Sequence, residues 1–140
     1  MRVCQFSVQS NHFHLLVEAS GREGLSRGMQ GFAIRVAKAV NRALGRAGRV
    51  FVDRYFARVL KTPREVRHAI GYVLNNARKH GSIAGGIDPC SSARWFDGWD
   101  RPVATGVEWR VAPVAAARTW LLRLGWRRHG SLELEPRAGG

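Results

Sequence analysis

Residues of three types, in two separate stretches, could do chemistry together. Asn11-His12-Phe13-His14-Leu15-Leu16-Val17-Glu18 sets two imidazoles two positions apart inside an apolar run. Side chains in a β-strand alternate faces, so His12 and His14 project from one face while Phe13, Leu15 and Val17 turn the other way, toward a core. Two ring nitrogens side by side on a stiff strand can be offered to one divalent cation. A bare His-x-His is more often a pair of strand-end histidines with local hydrogen bonds. The second stretch changes that balance. Tyr72 and Asn76 stand one helical turn apart, on the side of a helix away from its apolar arc, and Glu65, His68 and Lys79 share that side. A phenol is a weak nucleophile at neutral pH and attacks phosphorus usefully only when positioned and helped. A divalent metal on the phosphate polarises the P–O bond. Two histidines and an amide oxygen make an incomplete shell for Mg²⁺ or Mn²⁺, with room for phosphate oxygens and water. Periodicity alone leaves the plainer alternative standing, with Tyr72 a half-exposed helix residue and Asn76 merely near the helix end.

The elements that must hold these groups can be read in order. Residues 2–9 alternate well enough for a strand burying Cys4, Phe6 and Val8, and Ser10-Asn11 connects it tightly to the histidine strand as an antiparallel hairpin. Ser20 with Glu23 is a capping-box pattern that opens a helix at residue 21. That helix runs to Leu44 and stops at Gly45 and Gly48. Leu25, Met29, Phe32, Val36, Val40 and Leu44 fall in one arc; Arg27, Arg35, Lys38, Arg42 and Arg46 fall opposite. A solvated face is the ordinary meaning of such a stripe, but one-signed charge repels along the helix, which favours a phosphate-contacting role.

Residues 49–60 are rich in β-branched and aromatic side chains and predict a third strand. Thr62-Pro63-Arg64-Glu65 then starts a second helix with a full capping box. Its buried face is Val66, Ala69, Ile70, Val73, Leu74 and Ala77, and Gly81 ends it. Residues 82–110 are loop-like, and Pro113 to Leu124 suit a short helix closed by Gly125. Five tryptophans lie beyond residue 94, which predicts a tail packed on the domain. The division is therefore a domain over 1–81 and a C-terminal extension over 82–140.

Charge points to the partner. The 140 residues carry 23 Lys+Arg against 10 Asp+Glu, a net of +13. Residues 22–80 hold 14 of the basic residues against 3 acidic ones, so the polyanion site belongs there. No apolar run approaches the length of a membrane span, and polar residues interrupt the N-terminal apolar ones where a secretory signal would need continuity. Two distant cysteines, Cys4 and Cys90, fit free thiols in a cytoplasmic, nucleoid-associated protein.

Taken together, Asn11–Glu18, the helix from Leu25 with Met29-Gln30-Gly31, Asp53-Arg54-Tyr55, and Tyr72-Val73-Leu74-Asn75-Asn76 resemble the HUH-type single-tyrosine transposases, closest to the REP-associated tyrosine transposases. These pieces span residues 2–81, and the stretch from Asp88 to Trp99 looks like an extension in one branch of that family. The resemblance implies an α+β, ferredoxin-like antiparallel sheet with helices on one face. It implies metal-dependent cleavage and rejoining of single-stranded, hairpin-forming DNA. Tyr72 would form a 5′-phosphotyrosine; His12, His14 and Asn76 would hold Mg²⁺ or Mn²⁺. Arg27, Arg35, Lys38, Arg42, Arg46 and Lys79 are the DNA-contacting candidates. Family members usually carry a further strand and helix ahead of the strand equivalent to residues 2–9. Lacking them, the sheet would have an open edge, and the expectation is a homodimer or a weakly stable, weakly active chain.

Three rivals stay open. A nucleic-acid-binding remnant would keep the basic helix without chemistry. A structural zinc site on His12, His14 and Cys4 is disfavoured, because Cys4 is in phase with the buried face of its strand. Tyr55, beside Asp53, is the rival nucleophile.

Overall fold

In the computed structural model the described residues are 1–79, 86–103 and 111–134, with the side chains of Arg78 and Lys79 outside that description. The chain is α+β and divides into two compact units, one of Met1 with residues 19–59 and one of residues 2–18 with 60–140.

The first unit is built on α1 (Gly21–Ala43). Ser20 occupies the N-cap position but its side chain makes no capping bond, so the Ser20–Glu23 box does not form. The C-terminus behaves as the glycine predicts. Gly45 adopts φ +60°, its N–H reaches the Arg42 carbonyl at 3.3 Å, and the Arg46 N–H reaches the Asn41 carbonyl at 2.9 Å. This is a Schellman closure, in which a left-handed glycine turns the chain and satisfies carbonyls the helix leaves open. Arg46 thus lies beyond the helix rather than on it. Met29 is buried, Leu25, Phe32, Val36 and Val40 are half-buried, and Leu44 is exposed. Met1 lies against the helix at Gly28, where any Cβ would collide with its side chain.

The predicted third strand over residues 49–60 is absent; the segment is irregular and the described sheet has two strands. Phe56 is 94% exposed and Val52, Val59 and Tyr55 are also exposed. β-propensity measures fit to a half-buried pleated surface, and here these side chains have no such surface to pack on.

The second unit pairs β1 (Arg2–Val8) with β2 (Phe13–Glu18) antiparallel, Phe6 opposite Leu15 and Ser7 opposite His14. Cys4 is skipped in a bulge between Val3 and Gln5. One extra residue shifts the alternation, so Cys4 and Ser7 are buried while Phe6 is only half-buried and Val8 is exposed. The core also takes the other face of β2 than the one predicted. Leu16 and Glu18 are buried, whereas Phe13, Leu15 and Val17 are half-buried. Alternation defines two faces but not which one a helix covers. Leu15-Leu16-Val17 supplies apolar side chains to both, and Leu16 is the one that joins Val66, Ile70, Val73 and Leu74 in the core.

Those four come from α2 (Pro63–Leu74), whose start is as predicted. Thr62 Oγ1 accepts from the Glu65 N–H at 3.2 Å, and Glu65 Oε2 accepts from the Thr62 N–H at 3.0 Å. The helix stops at Leu74, earlier than Gly81, and after a turn at Asn75 continues as α3 (Asn76–Lys79).

The C-terminal residues complete this core with Ala93, Phe96, Trp126 and Leu132. They also line the outer edge of β1. Val8 N–H donates to the Cys90 carbonyl at 2.8 Å, Ser92 N–H to the Phe6 carbonyl at 2.9 Å and Ala115 N–H to the Val3 carbonyl at 2.8 Å, so these three backbone groups of the edge are paired. The predicted helix over 113–124 shrinks to α4 (Trp120–Arg123), followed by a 3₁₀ turn over Gly125–His129. Glu18 fastens this segment. Its buried carboxylate accepts from Arg2 at 2.6 Å, from the Thr119 hydroxyl at 2.6 Å and from the Arg118 and Thr119 backbone N–H groups.

Candidate active site

Because β2 turns its histidine face toward α2, the site is built between the hairpin and that helix. His12 and His14 lie edge to face with ring centroids 4.9 Å apart. His14 and Tyr72 lie edge to face at 5.1 Å. The three rings thus form a continuous row across two elements, with His14 in the middle. Tyr72 is 46% exposed.

His12 is oriented by its neighbour. Its Nδ1 lies 2.7 Å from Asn11 Oδ1. With the amide oxygen accepting, Nδ1 carries the hydrogen and Nε2 keeps its lone pair for a cation. The turn holding both residues is closed by the Gln9 N–H, which donates to the His12 carbonyl at 2.8 Å.

Asn76 follows Tyr72 by four positions but lies past the end of α2 at Leu74, and it is not on an open face as predicted. It is 1% exposed, and among the described residues neither its amide oxygen nor its amide nitrogen has a hydrogen-bond partner. Leaving a buried amide unsatisfied costs about 1–3 kcal/mol. Its neighbour Asn75 is also buried, at 2% exposed; Nδ2 donates to the Glu133 carbonyl at 3.3 Å, while Oδ1 has no partner among the described residues.

Among the described residues no three His, Cys, Asp or Glu side chains cluster to hold a metal. The zinc set of His12, His14 and Cys4 is therefore not assembled. Burial pushes the Cys4 thiol up to about 11, which further disfavours a thiolate ligand. A cation on the two histidines would need a donor of another type.

Tyr55, the rival nucleophile, lies in the first unit, while both histidines belong to the second. Of the basic candidates, Arg27, Arg35, Lys38 and Arg42 are exposed on α1, and Arg27 is paired with Glu23 at 2.6 Å. Arg46 donates to the Arg49 carbonyl at 3.1 Å. The Lys79 side chain lies outside the described residues.

A cleft of about 350 Å³ opens beside Tyr72, lined by Arg67, His68, Gly71, Tyr72, Asn75, Leu132 and Glu133. The periodicity of α2 placed His68 on the Tyr72 side, but Leu132 and Glu133 come from a segment with no local pattern linking it to the helix. Arg67 is fastened at the rim by bonds to the Gly130 carbonyl at 3.3 Å and the Ser131 carbonyl at 2.6 Å.

No protein-family model, curated protein or solved structure matches this chain.

Proposed function

We propose that the protein is a metal-dependent tyrosine transposase of the HUH type, which cleaves and rejoins single-stranded, hairpin-forming DNA. The observation that carries this reading is the row of His12, His14 and Tyr72, with centroid separations of 4.9 and 5.1 Å. A nucleophile and a histidine pair from distant parts of the sequence meet on one side of a small core. In this reading the hairpin and α2 are the centre of a ferredoxin-like fold.

His12 and His14 would hold Mg²⁺ or Mn²⁺, with Asn76 as the third protein donor. When bound, the ion supplies Lewis-acid polarisation of the scissile phosphate. Tyr72 Oη gives up its proton to solvent and forms a bond to phosphorus. The P–O3′ bond breaks, and the departing oxygen takes up a proton as a 3′-hydroxyl. The product is a 5′-phosphotyrosine, and attack by the 3′-hydroxyl of another strand reverses the step and joins new ends. The edge-to-face contact with His14 restrains the Tyr72 ring, and prior positioning of this kind lowers the barrier.

Exposed Arg35, Lys38 and Arg42 on α1 supply sequence-independent phosphate attraction. Exposed Tyr55 and Phe56, flanked by Arg54 and Arg58, offer π-faces on which unpaired bases stack. A Mn²⁺-dependent covalent protein–DNA band on a denaturing gel, lost in Tyr72→Phe, tests the proposal. DNA binding without any such band would mean a non-catalytic binding remnant.

A further inference from the structure

We infer that the exposed arginines around Trp120 form a second surface for single-stranded DNA, separate from α1, on which an unpaired base lies against the Trp120 ring and its flanking phosphates meet Arg118, Arg123 and Arg128. The inference concerns binding alone and stands whether or not Tyr72 cleaves. Residues 81–140 hold 8 Lys+Arg against 6 Asp+Glu, so the overall charge of this part gives little sign of a polyanion site. The charge is unevenly placed, however. Between Val111 and Leu132 stand four arginines and one histidine, with no acidic residue.

The segment is held in place from both sides. Glu18 accepts from the Arg118 and Thr119 N–H groups, and the Thr119 hydroxyl caps α4 by accepting from the Leu122 N–H at 3.4 Å. The Glu18 carboxylate is buried and paired with Arg2, which leaves the exposed Arg118 side chain without an acidic partner among the described residues. Trp120 and Leu124 stand one turn apart, joined by the bond from the Leu124 N–H to the Trp120 carbonyl at 2.8 Å, and they are 48% and 50% exposed. The guanidinium carbon of Arg128 lies 4.8 Å from the centre of the Trp120 ring, so a charge and a flat apolar surface are held side by side. Gly125 makes room for that ring, since a Cβ there would stand 2.8 Å from Trp120 Cζ3. The neighbouring pair behaves differently. Trp126 is buried in the core and Arg127 is paired with Asp97 at 2.7 Å.

Charge decides the occupant. A neutral apolar partner would cover three guanidinium groups without pairing them, and burying unpaired charge is costly. A single strand supplies a phosphate for each and a π-face for the ring. A duplex keeps its bases stacked on one another and would use the arginines alone.

The test uses the full chain in EDTA, so that no metal-dependent cleavage occurs, and titrates a short labelled thymidine oligonucleotide by anisotropy and by tryptophan fluorescence. The wild type should bind with quenching of its tryptophan emission. Trp120→Leu should weaken binding about tenfold, within the range that loss of one base–aromatic stack produces. Trp120→Phe, which keeps a ring, should bind close to the wild type. Both variants carry the wild-type charge, so long-range attraction cannot produce that difference. Arg123→Ala and Arg128→Ala, at exposed positions, should each lower the salt slope by about 0.7, and they decide the matter should Trp120→Leu fail to fold. Affinity indifferent to the Trp120 and arginine variants would overturn the inference. So would quenching by anionic phospholipid vesicles without any response to DNA, which would make the patch a membrane contact. A covalent band at Tyr72 with these variants binding as the wild type does removes this inference alone. Binding that depends on them without any covalent band removes only the transposase reading.

Discussion

His14 and Tyr72 meet edge to face with ring centroids 5.1 Å apart, although fifty-eight positions separate them in the chain. The contact exists because β2 presents its histidine face to α2. Were Phe13, Leu15 and Val17 the core face, His14 would point away from the helix and the row of three rings would not form.

The first consequence concerns metal affinity. His12→Ala and His14→Ala should each remove most Mn²⁺ binding by the full chain, measured by calorimetric titration. Asn11→Ala keeps both imidazoles but frees the His12 ring, and if the pair holds the ion, loss of such an orienting partner costs about 10–100-fold in affinity. Unchanged affinity in all three variants would detach the histidines from any metal role.

Glu18 predicts how stability depends on pH. Burial by itself raises its carboxyl pKa, but hydrogen bonds from the Thr119 hydroxyl, the Arg118 N–H, Arg2 and the Thr119 N–H outweigh that, holding it at about 2 against an ordinary 4.5. A folded-state value below the unfolded one stabilises the protein fully above pH 4.5, and the stability is lost as pH falls toward 2. The shift corresponds to about 3 kcal/mol. Glu18→Gln should lower the melting temperature at pH 7 and flatten its fall between those limits. Parallel wild-type and variant curves would contradict the linkage.

Gly98 predicts a packing limit. A Cβ there would collide with the Trp126 and Phe96 rings, which lie tilted against each other with centroids 5.4 Å apart. Gly98→Ala should destabilise the chain by about 1–3 kcal/mol through overpacking, read by urea denaturation. A neutral result would mean that this part of the core rearranges freely.

Much of the architecture was legible in the sequence because it rests on local rules. Thr62-Pro63-Arg64-Glu65 starts α2 through bonds among neighbours, and Gly45 ends α1 by a conformation that glycine favours. What was not legible depends on non-local partners. Residues 49–60 have strand composition, yet Val52, Tyr55, Phe56 and Val59 are left exposed with no half-buried surface under them. The bulge at Cys4 is a matter of register, which no single strand displays. The candidate site divides the same way. His12, His14 and Tyr72 follow from residue type and spacing, but the burial of Asn75 and Asn76 depends on packing that no local periodicity reports.

The basic face of α1 makes a quantitative prediction for DNA binding. Arg35→Ala, Lys38→Ala and Arg42→Ala should each weaken single-stranded DNA binding uniformly across sequences and lower the salt slope by about 0.7. Arg27→Ala should do less, because Glu23 already neutralises Arg27 at 2.6 Å. Anisotropy titrations at several salt concentrations give both quantities. Slopes unchanged by the three variants would leave α1 a merely solvated face.

The central claim is that Tyr72 attacks DNA with help from the histidine pair. The most direct measurement incubates the purified chain with a labelled library of single-stranded DNA hairpins, in Mn²⁺ or in EDTA, and resolves the products on a denaturing gel. The account predicts a covalent protein–DNA band in Mn²⁺, absent in EDTA and absent in Tyr72→Phe, while the variant binds hairpins as the wild type does. A band that persists in Tyr72→Phe, or its absence under all conditions alongside intact salt-sensitive binding, would contradict it.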